Sequence, residues 1–253
     1  MAADWREPFR RLFRTVPELD RGEKRYGATF VNILFGLVVT EAAIQFSREL
    51  VKWWGNGWEA VDEARLAHLL VAITLTVLSW IGYHQSQQYP PFLIKFINIP
   101  FFHFILDVSM VVVYYVVVAV AENSDPTTGP LISKSPRPEA ILVFAAFAFY
   151  VLWDLLGYRI FRDPEYSKRL ATPRNPETKL GPRRWVTAVF CCATGILAGV
   201  IWWVDPVTPA SVIASDVILV LVLFLYRLCK QGSDPKVLTR SAATSVKNDS
   251  PGT

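Results

Sequence analysis

Cysteine is scarce in this chain of 253 residues: Cys191, Cys192 and Cys229 are all it has. Their number and spacing exclude a disulfide framework and a cysteine-based metal site, and they read as small buried residues. Catalytic signatures are missing as well. There is no HExxH, no GxSxG and no glycine-rich phosphate loop, so the sequence argues against an enzyme. A TVGYG-type carbonyl filter and an arginine-repeating helix are also absent. That excludes the common potassium-channel architecture and leaves open a pore lined by side chains. Residues 1–26 are charged and hold no apolar stretch of the kind a secretory signal needs. No repeat of 20–50 residues stands out, and no cofactor or metal is implied.

Long apolar runs are abundant. Hydrophobic residues make up 52% of the chain, more than a soluble domain of this length carries, and several runs reach the ~20 residues that cross a bilayer. The sequence therefore predicts an all-α polytopic membrane protein. Its six transmembrane helices fall near 27–48, 66–87, 101–121, 138–160, 184–204 and 210–229. The segment before the first span holds seven Lys and Arg, the fourth-to-fifth connection eight and the tail from Arg227 five, whereas the fifth-to-sixth connection holds none. The positive-inside rule then places both termini in the cytoplasm. The net charge of +4 reflects this topology and points to no nucleic-acid partner.

Three regions follow. Residues 1–26 form a basic segment in which Trp5, Phe9, Leu12, Phe13 and Val16 recur at helical spacing, suited to lying on an anionic lipid surface. Residues 27–230 form the six-helix domain. Residues 231–253 are rich in Ser, Lys, Thr and Gly and are expected to be disordered. Trp53, Trp54 and Trp58, with Trp202 and Trp203, read as interfacial anchors on the outer side. Ala193, Gly195, Ala198 and Gly199 are spaced for close helix packing. The arginine- and alanine-rich composition leans toward a bacterial plasma membrane.

Acids inside spans are costly, on the order of 2.5–3.5 kcal/mol on insertion scales, and they usually face a bundle interior or water. Four occur here: Glu41, Asp107, Asp154 and Asp216. His103 and Asp107 are four apart and share one helix face; they could hold a proton or fix a neighbouring helix. Asp154 and Asp216 have no obvious local partner and could cap or pair across helices. In "FVNILFGLVVTEAAIQF", Ile33, Leu37, Thr40, Glu41 and Ile44 lie on one side of the first helix. On a water-filled axis, Leu37 and Ile44 would form constrictions, and Thr40 and Glu41 would offer oxygens to a cation. Away from such an axis, Glu41 would need a partner such as His84 or a snorkelling Lys or Arg.

The stretch "RYGATFVNILFGLVVT" and the helix end "WIGYHQ" resemble the first two helices of the transmembrane protein 175 family, endolysosomal potassium and proton channels with six-helix prokaryotic relatives. Phe30, Val31 and Asn32 stand where that family has Phe-Ser-Asp, with Arg25 one residue further upstream than its motif allows; Trp80, Ile81 and His84 match the end of its second helix. The resemblance implies a homotetrameric cation channel selective for monovalent ions such as potassium. Leu37 would be its hydrophobic gate, Thr40 a threonine layer and Ile44 a second apolar ring, with Glu41 an added carboxylate ring. Because Val31 replaces Ser and Asn32 replaces Asp, the arginine-centred lock of the family is expected to be rewired. Two rivals remain: a proton-coupled carrier using Glu41, His84, His103 and Asp107, and a non-conducting membrane scaffold.

Overall fold

The computed structural model describes residues 24–57, 62–86, 99–122, 135–161, 176–204 and 208–232. The basic N-terminal segment before Lys24, Trp58 and the tail beyond Gly232 lie outside these residues. Six helices make up the described chain: α1 Lys24–Asn56, α2 Glu63–Ser86, α3 Ile99–Glu122, α4 Arg137–Phe161, α5 Pro176–Val204 and α6 Pro209–Gly232. Each contains an apolar stretch long enough to cross a membrane. The described residues are therefore all-helical, and the protein is a multi-pass membrane protein.

Local sequence sets the helix ends. The Asp62 carboxylate accepts from the Arg65 amide at 3.1 Å and caps α2. Thr208 does the same for α6, accepting from the Ser211 amide at 3.3 Å, with Pro209 in the first turn. α1 runs 33 residues, about 50 Å at 1.5 Å per residue, and exceeds the ~30 Å hydrocarbon core. It passes the expected end at residue 48 because "RELVKWWGN" holds no helix breaker before Gly55. It stops at Gly57, whose φ of 80° suits glycine and whose amide returns to the Trp53 carbonyl at 2.9 Å. The exposed Trp53 and Trp54 thus lie on the last turn of α1, and the exposed Trp202 and Trp203 on the last turn of α5. Alternating crossings put both pairs at the same bundle end, as interfacial anchors require.

α1 packs on α2 and α3; α2 also packs on α3 and α6; α3 packs on α4; and α5 packs on α4 and α6. The core gathers around Phe35, Leu75, Tyr114, Val143, Phe147, Leu219 and Leu223. A Cβ on Gly195 would meet the Phe144 ring at 3.0 Å, so α5 uses that glycine to approach α4 closely, whereas Gly199 faces open space. Ala198 is buried and Ala193 exposed, so only half of the small-residue stripe serves packing within one chain. The cysteines depart from expectation: Cys191 is half-buried, and Cys192 and Cys229 are exposed. They sit on helix faces turned toward the surroundings, where a small thiol costs nothing in lipid.

Candidate functional site

The candidate site is a column where α2, α4 and α6 converge. On α4, Glu139, Val143, Phe147, Tyr150 and Asp154 recur every three or four residues and so form one stripe. On α6, Asp216, Leu219, Leu223, Tyr226 and Lys230 do the same, and on α2 so do His68, Ala72, Leu75 and Ser79. Each stripe starts with an ionisable residue, continues through apolar side chains and ends in polar ones.

The first layer is His68, Glu139 and Asp216, which are 3%, 0% and 1% exposed. His68 Nδ1 lies 2.5 Å from Glu139 Oε2 and 2.9 Å from Asp216 Oδ2. None of the four carboxylate oxygens has a hydrogen-bond partner: the contacts to the imidazole are close, but they lack the alignment of a hydrogen bond. One N–H could in any case satisfy only one of the two acids. Even a protonated imidazole leaves one formal negative charge in the layer, and buried uncompensated charge is expensive. The three residues offer one nitrogen and two oxygens within 4.8 Å of one another, a set that could hold a metal ion.

Below this layer the column is apolar, through Leu75, Val143, Phe147, Leu219 and Leu223. An aromatic layer follows. The Tyr150 hydroxyl contacts the Ser79 hydroxyl of α2 at short range and accepts from Tyr114 of α3 at 3.0 Å. Its ring stacks on Tyr226 with centroids 5.8 Å apart. At the far end, Lys230 donates to Asp154 Oδ2 at 3.1 Å, to Thr187 at 3.1 Å and to the Tyr226 hydroxyl at 2.8 Å, while Thr187 donates to Asp154 at 2.5 Å. Asp154 and Asp216 therefore both pair across helices.

The α1 residues fall elsewhere. α1 buries Val31, Phe35, Val38, Ala42, Gln45 and Glu49. Ile33, Leu37 and Ile44 are 57%, 61% and 42% exposed, and Thr40 is exposed beside them. The stripe expected to line a pore thus faces out of the single chain. Its polar groups are satisfied locally: the Thr40 hydroxyl donates to the Gly36 carbonyl at 2.8 Å, and half-buried Glu41 accepts from Gln45 at 2.8 Å. Gln45 in turn accepts from Arg65 of α2 at 2.8 Å, and Arg65 pairs with Glu49 at 3.0 Å. The partner of Glu41 is thus neither His84 nor a basic side chain.

The remaining sequence candidates are dispersed. Phe30 is exposed, with its ring 6.1 Å from that of Phe104. Asn32 is half-buried, with its side-chain oxygen unbonded. Arg25 is in α1, but its side chain lies outside the described set. Trp80 and His84 are exposed and meet edge to face at 4.9 Å near the end of α2. His103 Nδ1 is 3.7 Å from Asp107 Oδ2. Asp107 Oδ1 accepts from Trp153 Nε1 at 2.8 Å, and the His103 ring lies 4.6 Å from that of Trp153. That pair ties α3 to α4. Of the carrier set Glu41, His84, His103 and Asp107, Glu41 bonds Gln45 on its own helix, His84 meets Trp80, and His103 with Asp107 lies against Trp153.

Sequence reasoning missed His68 and Glu139. The signal was present: a histidine early in the apolar α2, an acid in the first turn of α4 and another two turns into α6 must meet at one bundle end if crossings alternate. These features define a six-helix membrane protein with an enclosed His–carboxylate layer. No family model, curated protein or solved structure matches the chain.

Proposed function

We propose that this protein moves cations across a membrane, with the α2–α4–α6 column as the route within each chain. One observation carries the reading: three helix stripes put ionisable groups at one end of a single buried axis, two of them, on α4 and α6, do so again at the other end, and apolar side chains lie between. Charged groups inside membranes usually mark ion or proton pathways. The His68–Glu139–Asp216 layer would accept the cation, and the apolar layer would keep the two ends from being joined by water at rest. Asp154 and Lys230 would complete the opposite end. Reconstituted vesicles test this with proton and potassium fluxes under an imposed voltage. Glu139→Gln and Asp216→Asn should each lower the wild-type flux by at least about tenfold, the effect of losing roughly 1.4 kcal/mol of stabilisation on the route. Wild-type flux in both variants would remove the column from the route.

A second reading keeps the pore between chains. The outward exposure of Leu37, Thr40 and Ile44 favours it, as does the resemblance to the transmembrane protein 175 family, which supplies the tetramer, the potassium-like selectivity and the Leu37 gate. Here Leu37→Ala should raise basal flux and Glu41→Gln should change cation preference, while the Glu139 and Asp216 variants leave conduction intact. Absence of flux for any ion would leave a membrane scaffold. We assign the protein to a bacterial plasma membrane on composition.

A further inference from the structure

We propose that His68, Glu139 and Asp216 form a binding site for a divalent transition-metal cation. The inference goes beyond the transport reading and stands without it.

The argument begins with charge. A neutral imidazole and two carboxylates sum to −2, which a divalent cation cancels inside a layer that water does not reach. Donor type comes next. One imidazole nitrogen and two carboxylate oxygens form a borderline set that suits Zn²⁺, Mn²⁺, Fe²⁺ or Co²⁺. Geometry agrees. Metal–ligand bonds of about 2.0–2.1 Å in a tetrahedral site put neighbouring donors roughly 3.3–3.4 Å apart. The nitrogen-to-oxygen separations here are 2.5 and 2.9 Å, and all three donors lie within 4.8 Å of one another. Seating an ion requires Glu139 to withdraw by about 0.8–0.9 Å and Asp216 by about 0.4–0.5 Å, within the reach of their own χ angles.

The independent observation is the state of the acids. Glu139 and Asp216 are 0% and 1% exposed, and all four of their oxygens lack a hydrogen bond. Carboxylates kept only to pin helices would be hydrogen-bonded, as Asp107 and Asp154 are in this same bundle. Two carboxylates, from α4 and α6, that converge on one imidazole nitrogen of α2 without a well-aligned hydrogen bond are arranged as ligands. Three protein donors leave at least one coordination position, which a second oxygen of Glu139 or Asp216 can fill.

The test uses the full chain, purified in detergent, with any affinity tag removed and metals stripped by a chelator, then titrated with Co²⁺. The expected result is about one cobalt ion per chain, with visible ligand-field absorption of a site that includes nitrogen. His68→Ala, Glu139→Gln and Asp216→Asn should each weaken binding by at least about tenfold, since even changes outside the first ligand sphere cost 10–100-fold. His103→Ala, which removes a histidine outside the layer, should bind as wild type does. No bound cobalt in the wild type, or unchanged binding in all three layer variants, overturns the site. The wild-type titration decides even if a variant fails to fold. Cobalt binding without ion flux would refute the transport reading and keep the site; flux without binding would do the reverse.

Discussion

Asp154 and Lys230 illustrate how one ion pair is made tolerable in an apolar bundle. The carboxylate takes a hydroxyl from Thr187 and the ammonium of Lys230, which also reaches the hydroxyls of Thr187 and Tyr226. Removing one member leaves the other buried without its counter-charge, which costs roughly 3–5 kcal/mol. Lys230→Met should therefore shift the denaturant midpoint of the detergent-solubilised protein far more than the double variant Asp154→Asn/Lys230→Met, in which no charge is stranded. Equal shifts would show that the pair is solvated in the folded state. The same residues show where sequence reading stops. Asp154 and Asp216 stood out as acids in apolar runs, so their need for partners was legible. Their partners were not, because Lys230 and His68 lie on other helices and nothing local joins them. Glu139 passed unnoticed because an acid in the first turn of a helix has a sufficient local reason to be there, in the helix dipole.

At the scale of elements, the six helices were legible because each apolar run exceeds the bilayer requirement. Their interfaces were not, because in lipid both inward and outward faces are apolar, and periodicity loses its contrast. α1 makes this concrete: Leu37 and Val38 are equally apolar, yet one is 61% exposed and the other buried. Small residues are the better guide, and only some of them matter. A leucine at residue 195 would drive into Phe144 at the α4–α5 contact, where an added Cβ alone reaches 3.0 Å. Gly195→Leu should lower stability by about 1–3 kcal/mol through overpacking. Gly199→Leu, with nothing within 4 Å of its Cβ, should be neutral or gain up to about 1 kcal/mol from helix propensity. Thermal unfolding of the two variants side by side measures the difference. Matching midpoints would mean that α5 does not sit closely on α4 in the membrane.

At the scale of the whole molecule, a pore between chains requires one outward face to meet another copy. α1 turns Ile33, Leu37 and Ile44 outward, while α5 turns out Val189, Ile196 and Val200. Lipid would satisfy either face, so apolarity alone does not choose between them. What distinguishes α1 is Thr40 beside Leu37, a hydroxyl whose local bond to Gly36 leaves its lone pairs facing outward. Hydroxyls that cross between helices are worth about 0.6–2 kcal/mol each in a membrane, a bias that repeats in every copy of a symmetric assembly. If α1 lies near a symmetry axis, a cysteine at residue 37 should meet its counterpart. In a background where Cys191, Cys192 and Cys229 are replaced by alanine, Leu37→Cys should form a disulfide-linked dimer when native membranes are oxidised. Val200→Cys, on the outward face of α5, should stay monomeric under the same treatment. Because two Cα atoms must come within about 7 Å to be bridged, rapid linkage at 37 alone places α1 against α1. Linkage at 200 alone would move the axis to α5 and detach Leu37 from any gate, and the cation route would then have to lie within each chain.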